Sequence, residues 1–394
     1  MYLEINILQK TFFTDIFNLY IKNNDTFVFI NTLSNRRMKK NKKMLILTLF
    51  AIFCLGILFS IISPRFGGRP KGARLERCKQ SHNYQNGQFV NQEPTRMFTS
   101  DKHPYSLIGS FLKRDKQVRP QQAIEVDVPD LKHLDSNKEL YVWFGHSTYL
   151  LQTGGNKIVV DPVFYYGSPF SFINKPFPMT YHFTPNDLPD IDLLIITHDH
   201  WDHLDYKTIR QLRGRIKKIV CPLGVGAHFE RWKFKQEDII ELDWGEDATF
   251  NNLTIHCLTA RHFSGRLMGN PTLWASFLIE SPDRKTFISG DGGYGKHFAD
   301  IGKQFPDIDL AILENGQYNP QWANNHTLPE KLPLEINDLK AKTILTVHHS
   351  KFALSTHPYD EPIKNIQTLQ KQGYHVLNPK IGEIIYFNPT QEEH

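Results

Sequence analysis

Cysteine is scarce in this chain: Cys54, Cys78, Cys221 and Cys257 are the four in 394 residues. None forms a C-x-x-C pair and Cys54 lies inside an apolar run, which argues against a disulfide framework and leaves any metal to histidines and carboxylates. A strong excess of one charge is lacking as well. Against 46 Lys and Arg stand 41 Asp and Glu, a formal net charge of +5, and basic residues crowd into Arg36, Arg37, Lys39, Lys40, Lys42 and Lys43. Read this way the excess is a membrane-topology signal, and no nucleic-acid partner is expected. Long apolar runs are missing except one, Met44 to Ile62 (MLILTLFAIFCLGILFSII), interrupted only by Thr48, Gly56 and Ser60. Crossing a hydrocarbon core takes about 20 residues. The basic cluster before the run places the N-terminus in the cytoplasm and everything after Pro64 on the far, periplasmic side. Ser60 to Ser63 offers a poor cleavage site, so an uncleaved single anchor is expected.

The organisation that follows is a leader over residues 1–43, an anchor over 44–64, a connector or arm over 65–135 and a catalytic domain over 136–394. Met38 itself opens a Lys-rich, then apolar leader (MKKNKKMLILTLF), so residues 1–37 read either as a cytoplasmic leader or as an over-long start. The connector is rich in Gly, Pro, Lys, Arg and Asn with little periodicity, and Leu112 to Pro129 reads as an arm able to wrap the domain. Beyond Leu140 the texture changes to short apolar runs bounded by turn residues. Strands are expected in YVWFGHSTYLLQT, GGNKIVVDPVF and IDLLIITHDH, with a glycine hairpin at Gly154-Gly155-Asn156. Further strands are expected at 218–221, 238–242, 253–258, 274–279, 286–289, 310–313, 343–347 and 383–387. Helices are expected at 206–212, 224–232, 294–303, 329–339 and 362–372. LPDIDLLIIT (Leu188 to Thr197) and FPDIDLAILE (Phe305 to Glu314) echo each other, which suggests two halves that each feed a strand into a functional loop.

The chemistry concentrates in T-H-D-H-W-D-H-L-D, Thr197 to Asp205, directly after the apolar strand Leu193 to Ile196. A strand end holds the first donors rigidly and the following turn aims Asp202 and His203 at a neighbouring point. Packing His198, His200, Asp202 and His203 so closely is costly without a cation, and neutral imidazole is the commonest protein metal ligand. His262 (TARHFSGR), Asp291 (ISGDGGY) and His348 (LTVHHS) each follow an apolar strand. The glycines around Asp291 leave room for close approach to an ion.

This order, H-x-H-x-D-H followed by His, Asp and His, resembles the metallo-β-lactamase superfamily of binuclear hydrolases. WFGHSTYLL, VVDPVF, HDHWDHLDY, SGDGGY and HHSKFAL followed by EP are similar to the branch containing N-acyl-phosphatidylethanolamine phospholipase D and related bacterial envelope proteins. The resemblance covers about Leu140 to Asn388. It implies an α/β fold, a four-layer αβ/βα sandwich, preceded here by the transmembrane helix. It implies one zinc on His198, His200 and His262, a second on Asp202, His203 and His348, and Asp291 as the bridge, with iron or manganese as other occupants. His326, in NNHTLPE, falls where the branch places a histidine near the substrate phosphate, and His349 stands where it carries an aromatic residue. Diiron oxygen-reducing relatives carry a carboxylate where this chain has His200, which favours hydrolysis over redox chemistry. His182, His228 and His256 read as structural or surface residues, and His146 as a candidate partner of a ligand.

The expected activity is phosphodiester cleavage in lipids of the N-acyl-phosphatidylethanolamine type by a metal-bridging hydroxide oriented by Asp202 and Asp291, with His326 on a non-bridging oxygen. A lactonase, thioesterase or β-lactam hydrolase is the enzymatic alternative, because the same metal pair attacks carbonyl centres. A non-catalytic metal-binding envelope protein is the other. The expected partners are a lipid or small-molecule substrate and the membrane, with a homodimer left open. Phe164 to Phe183 is aromatic and Pro-rich, and Phe170, Phe172 and Phe177 are its candidates for contact with lipid.

Overall fold

The computed structural model describes residues 35–99, 116–170, 172–266 and 269–387. The chain divides into two compact units between Ile62 and Ser63. The first contributes helix α1 (Asn35–Ile62), whose Lys42–Phe59 window has a mean hydropathy of 2.1 and is long and apolar enough to cross a membrane.

The second unit opens with α2 (Ala73–Lys79) and a small hairpin, β1 (Tyr84–Gln85) and β2 (Gln88–Phe89). Then come β3 (Glu139–Trp143), β4 (Tyr149–Thr153), β5 (Asn156–Val160), β6 (Ile191–Ile195), β7 (Ile216–Pro222) and β8 (Ile239–Leu242). A second series follows: β9 (Asp247–Phe250), β10 (Leu253–Leu258), β11 (Ser276–Glu280), β12 (Lys285–Ile288), β13 (Leu310–Glu314) and β14 (Thr343–Val347), with β15 (Ile384–Phe387) last. The helices between them are α3 (Tyr206–Leu212), α4 (Gly226–Arg231), α5 (His297–Gln304), α6 (Leu332–Leu339) and α7 (Glu361–Lys371).

These strands make a seven-stranded sheet ordered β15-β3-β4-β5-β6-β7-β8 and a six-stranded sheet ordered β14-β13-β12-β11-β10-β9. In each, antiparallel strands lead into a parallel run, β5 to β8 in one and β12 to β14 in the other. Alternation along the strands builds the layers. Leu310 and Ile312 of β13 join Leu193 and Ile195 of β6 in the core shared by the two sheets, while Ala311 and Leu313 face a second cluster with Phe298 and Ile301 of α5 and Ile336 and Leu339 of α6. The result is the expected four-layer αβ/βα sandwich. The β4–β5 turn is the expected two-residue glycine hairpin, with Gly154 and Gly155 at φ 54° and 74°, a left-handed backbone that suits glycine.

The 65–135 stretch is the segment expected as a partly ordered connector or arm. Its described parts belong to the second unit: Cys78 and Phe89 are fully buried with Trp274, Arg74 pairs with Glu241 at 2.5 Å, and Ile124 and Val126 bridge to Met179 and Ile381. Its few apolar residues each fill a separate hole in a neighbouring surface, so they carry no period in the sequence. The segment 112–115 lies outside the described residues. Within the aromatic stretch, Phe172 is exposed and stacks on Phe170, but Phe177 is buried against Val118 and Ala353. Phe177 is therefore a core residue and not a lipid contact.

Candidate metal centre

The first donors hang from the end of β6. Thr197 donates from its main-chain N (2.8 Å) and its Oγ1 (2.6 Å) to the carboxylate of Asp161, which follows β5. The same carboxylate accepts His203 Nδ1 at 2.8 Å. At the far end of the loop Asp205 caps α3, accepting from Lys207 N and Thr208 N. A loop pinned at both ends holds its donors in one geometry.

The later donors leave their strands toward the same place. His262 follows β10, Asp291 follows β12 and His348 follows β14. The potential ligand atoms of His198, His200 and His262 lie within 4.8 Å of one another, and so do those of Asp202, His203, His348 and His146. Asp291 sits between the two sets, its Oδ2 at 4.0 Å from His198 Nε2, 3.9 Å from His262 Nε2 and 3.1 Å from both His203 Nε2 and His348 Nε2. The structure thus brings together the seven residues that the sequence singled out.

Most of the imidazoles are oriented from behind. His198 Nδ1 meets Thr197 Oγ1 at 3.0 Å, His262 Nδ1 donates to the Asn325 carbonyl at 2.8 Å, and His348 Nδ1 donates to Glu314 Oε1 at 3.0 Å. Their Nε2 atoms are left for the centre, while His200 presents Nδ1, 2.9 Å from His198 Nε2 and 3.2 Å from His262 Nε2. This is how metal-binding histidines are fixed in tautomer and direction. Three residues here carry an unusual backbone cost: His146, Asp161 and His348 have φ of 55°, 41° and 71° without being glycine, and such strain clusters at functional sites.

The electrostatics suit cations. Burial, followed by the neighbouring imidazoles, pushes His198 and His262 far below the usual histidine range, which keeps them in the neutral form that ligates. Burial opposes ionisation of Asp202, but His203, His146 and His348 outweigh it and hold the carboxyl well below the usual range. His203 Nε2 and Asp291 Oδ1 are buried without a hydrogen-bond partner, and three imidazole nitrogens converge closely in the first set. Buried polar atoms left in this way are costly unless something binds them. The nitrogen and oxygen donors, with no thiolate, fit zinc and other first-row divalent ions.

The sequence missed several supports. Asp161 is one, although VVDPVF carries it. Glu314 is another: it ends the second echo and accepts His326 Nδ1, His348 Nδ1 and, at 2.8 Å, Gly292 N. Asp199, between His198 and His200, is held by His228 Nε2 at 3.0 Å and by Gly265 N at 2.7 Å, so His228 is a support for the metal loop. His146, expected as a candidate partner, meets Asp202 Oδ2 at 2.8 Å. His326 lies beside the donors, its ring parallel to His348 at 5.4 Å. His349 turns away and packs on Trp143 at 4.6 Å, so it does not reshape the cavity.

That cavity, of about 320 Å³, has His200, Asp202, Asp291, His326 and His348 on its floor and Met97, Phe98, Phe263, Trp322 and Leu354 among its walls. It is a polar, convergent floor under apolar sides, the usual form of a small-molecule site.

Comparison with known proteins agrees with this geometry. Residues 156–349 match the family model described as a beta-lactamase superfamily domain. An uncharacterised protein of Mycobacterium tuberculosis (strain H37Rv) is 38% identical over 298 residues, 73% of this chain and 79% of the relative. The N-acyl-phosphatidylethanolamine-hydrolyzing phospholipase D 1 of Caenorhabditis elegans is 32% identical over 240 residues, 55% of this chain and 65% of the relative. Among solved structures, a possible metal-dependent hydrolase from Veillonella parvula covers 64% of this chain and all of its own, with a TM-score of 0.52 at 16% identity. With sandwich, converging donors and relatives pointing one way, the chain belongs to the metallo-β-lactamase superfamily and is a metal-dependent hydrolase.

Proposed function

We propose that this hydrolase is a binuclear phosphodiesterase acting on lipid phosphodiesters of the N-acyl-phosphatidylethanolamine type. The observation that carries the reading is the cavity floor, where the two donor sets meet His326 beneath apolar walls. The C. elegans relative's named activity supports the substrate class. His198, His200 and His262 would hold one zinc, Asp202, His203 and His348 the other, and Asp291 would serve both. Bound there, the ions supply Lewis acidity and bring the pKa of water near neutrality.

The protein's own part is orientation. Glu314 engages one ring nitrogen of His326, Nδ1, which leaves Nε2 to contact a non-bridging phosphate oxygen. His146 fixes Asp202, and Asp161 fixes His203. The apolar walls take lipid and exclude water, which strengthens each polar contact below them. Helix α1 would tether the enzyme to the bilayer, with the hydrolase on the periplasmic side, where tethering raises the local concentration of lipid.

The test is bound metal per full-length chain by elemental analysis, together with hydrolysis of a phosphodiester lipid and a lactone. We expect close to two metals and phosphodiester cleavage, both lost in Asp202→Ala. His326→Ala should keep its metal and lose turnover by about tenfold or more, the scale of a positioned proton or hydrogen-bond donor. Lactone cleavage with no phosphodiester cleavage would overturn the proposal in favour of a carbonyl hydrolase, and full metal with no turnover on either would favour a binding protein.

A further inference from the structure

Part of the wall above the metal-ligand cluster comes from outside the matched hydrolase core. Residues 91–99 cross the mouth of the cavity without regular secondary structure, and they are pinned along their length. Asn91 grips both main-chain groups of His262, donating from Nδ2 to its carbonyl at 2.7 Å and accepting its N–H at 3.1 Å. Arg261 donates from Nε to Thr95 Oγ1 and from Nη2 to the Pro94 carbonyl, each at 3.0 Å. Asn325 Nδ2 donates to the Met97 carbonyl at 2.9 Å, while the main-chain carbonyl of Asn325 takes His262 Nδ1. Thr99 N donates to the Gln321 carbonyl at 2.7 Å. The strap is therefore registered against His262 from two sides.

Its two large apolar side chains belong to none of the core clusters. Met97 and Phe98 line the cavity yet remain 49% and 41% exposed. Apolar groups held by a fixed backbone over a charged floor offer their area to a ligand, because covering them is favourable by roughly 25 cal/mol for each Å² removed from water. Phe263, Trp322 and Leu354 complete apolar surroundings into which a chain attached to the reacting group would extend.

We infer that Met97 and Phe98 are specificity-determining residues, which select substrates carrying an alkyl or acyl chain close to the group that meets the metal. The inference rests on the metal-centre part of the proposed function and is independent of whether the bond cleaved is a phosphodiester. It also assigns a part of the chain selectivity to the segment before residue 156, outside the 156–349 core, so hydrolases sharing only that core would lack this contribution.

The test uses full-length, zinc-loaded protein and a series of n-alkyl hydroxamates with two, four and six carbons, whose head binds a metal centre whatever its substrate. Affinity is read by calorimetry. Wild type should tighten by about three- to fourfold per added methylene, the transfer value of a buried CH₂. Met97→Ala/Phe98→Ala should keep its metal and its affinity for the two-carbon probe, and lose about tenfold or more for the six-carbon probe. Met97→Leu/Phe98→Leu should restore most of the loss, which a collapsed strap would not. Equal chain-length dependence in wild type and the alanine variant, or none in wild type, overturns the inference. Failure of every hydroxamate to bind overturns it together with the metal centre. Loss of phosphodiester turnover alone, with chain-length dependence retained, removes only the phosphodiester reading.

Discussion

The two sheets use one frame and load it differently. Asp192 in β6 accepts Lys157 N of β5 at 2.9 Å and pairs with Lys217 of β7 at 2.6 Å. Asp309, just ahead of β13, accepts Lys285 N of β12 at 2.9 Å and pairs with Lys342, just ahead of β14, at 2.9 Å. At the opposite strand ends Thr197 N donates to Asp161 Oδ1 at 2.8 Å, and Glu314 N donates to Ser289 Oγ at 3.1 Å. The contents then part. After β6 come His198, His200, Asp202 and His203, whereas β13 ends in Glu314, whose carboxylate orients His348 and His326. The loop after β6 delivers donors and the end of β13 delivers orientation, from the same strand geometry.

The sharpest way to break this comparison is to exchange nothing but the two hinge residues. Asp161→Asn should weaken metal binding by about 10- to 100-fold, because the partner of a ligand histidine sets its direction and basicity. The topologically equivalent Ser289→Ala removes the Oγ that accepts Glu314 N and donates to the Gly290 carbonyl, costs roughly 1–3 kcal/mol of stability and should leave metal affinity unchanged. Metal retained against a graded chelator series, read beside thermal unfolding, checks both. Equal metal loss in the two would show that the ends of β6 and β13 do not divide the work.

Glu314→Gln is the next largest effect. Its amide keeps one acceptor oxygen for two imidazoles and loses the charge that draws them, so turnover should fall by about tenfold or more. His326 is not among the proposed ligands, so the loss should exceed any loss of metal measured on the same sample. A variant that loses metal and turnover in proportion would place Glu314 with the donors, and the distinction between the ends of β6 and β13 would fail.

How much of this was legible in the sequence depended on whether a residue's partners lie near it in the chain. Leu253–Leu258, Thr343–Val347 and Tyr206–Leu212 fall where period and flanking residues put them. The exposed edge strand β9, DATF, has no apolar run and could not be read. Strand β11 begins two residues after the expected Trp274, whose indole instead donates to the Ala260 carbonyl and fills the hole shared with Cys78 and Phe89. Helices expected from Gly224, Tyr294 and Pro329 begin at Gly226, His297 and Leu332, because turn residues at a helix entry look helical to a periodicity argument. At the site, the metal loop was legible since four donors share six residues. Asp161 and Glu314 were not, being single carboxylates at the ends of apolar runs whose partners lie 12 to 42 residues away. The echo that aligns Glu314 with Thr197 was the one signal that could have marked it.

The smallest effects test whether the frame itself is shared. Asp192→Ala and Asp309→Ala each strip a partner from a strand N–H, a loss of roughly 1–3 kcal/mol if the donor stays unsatisfied. Lys217→Ala and Lys342→Ala should each cost less than about 1 kcal/mol, since these lysines are 68% and 59% exposed and water screens their pairs. Denaturant unfolding of the four variants and of the two Asp–Lys double variants gives a coupling energy for each half. We expect the two couplings to agree within about 0.5 kcal/mol, the scatter of independent sites, and the Asp192→Ala/Asp309→Ala double variant to be additive. Couplings that differ by more would mean that the repeated Pro-Asp-Ile-Asp phrase starts two strands in the same way without doing the same work in both, and the shared frame would reduce to a resemblance of backbone alone.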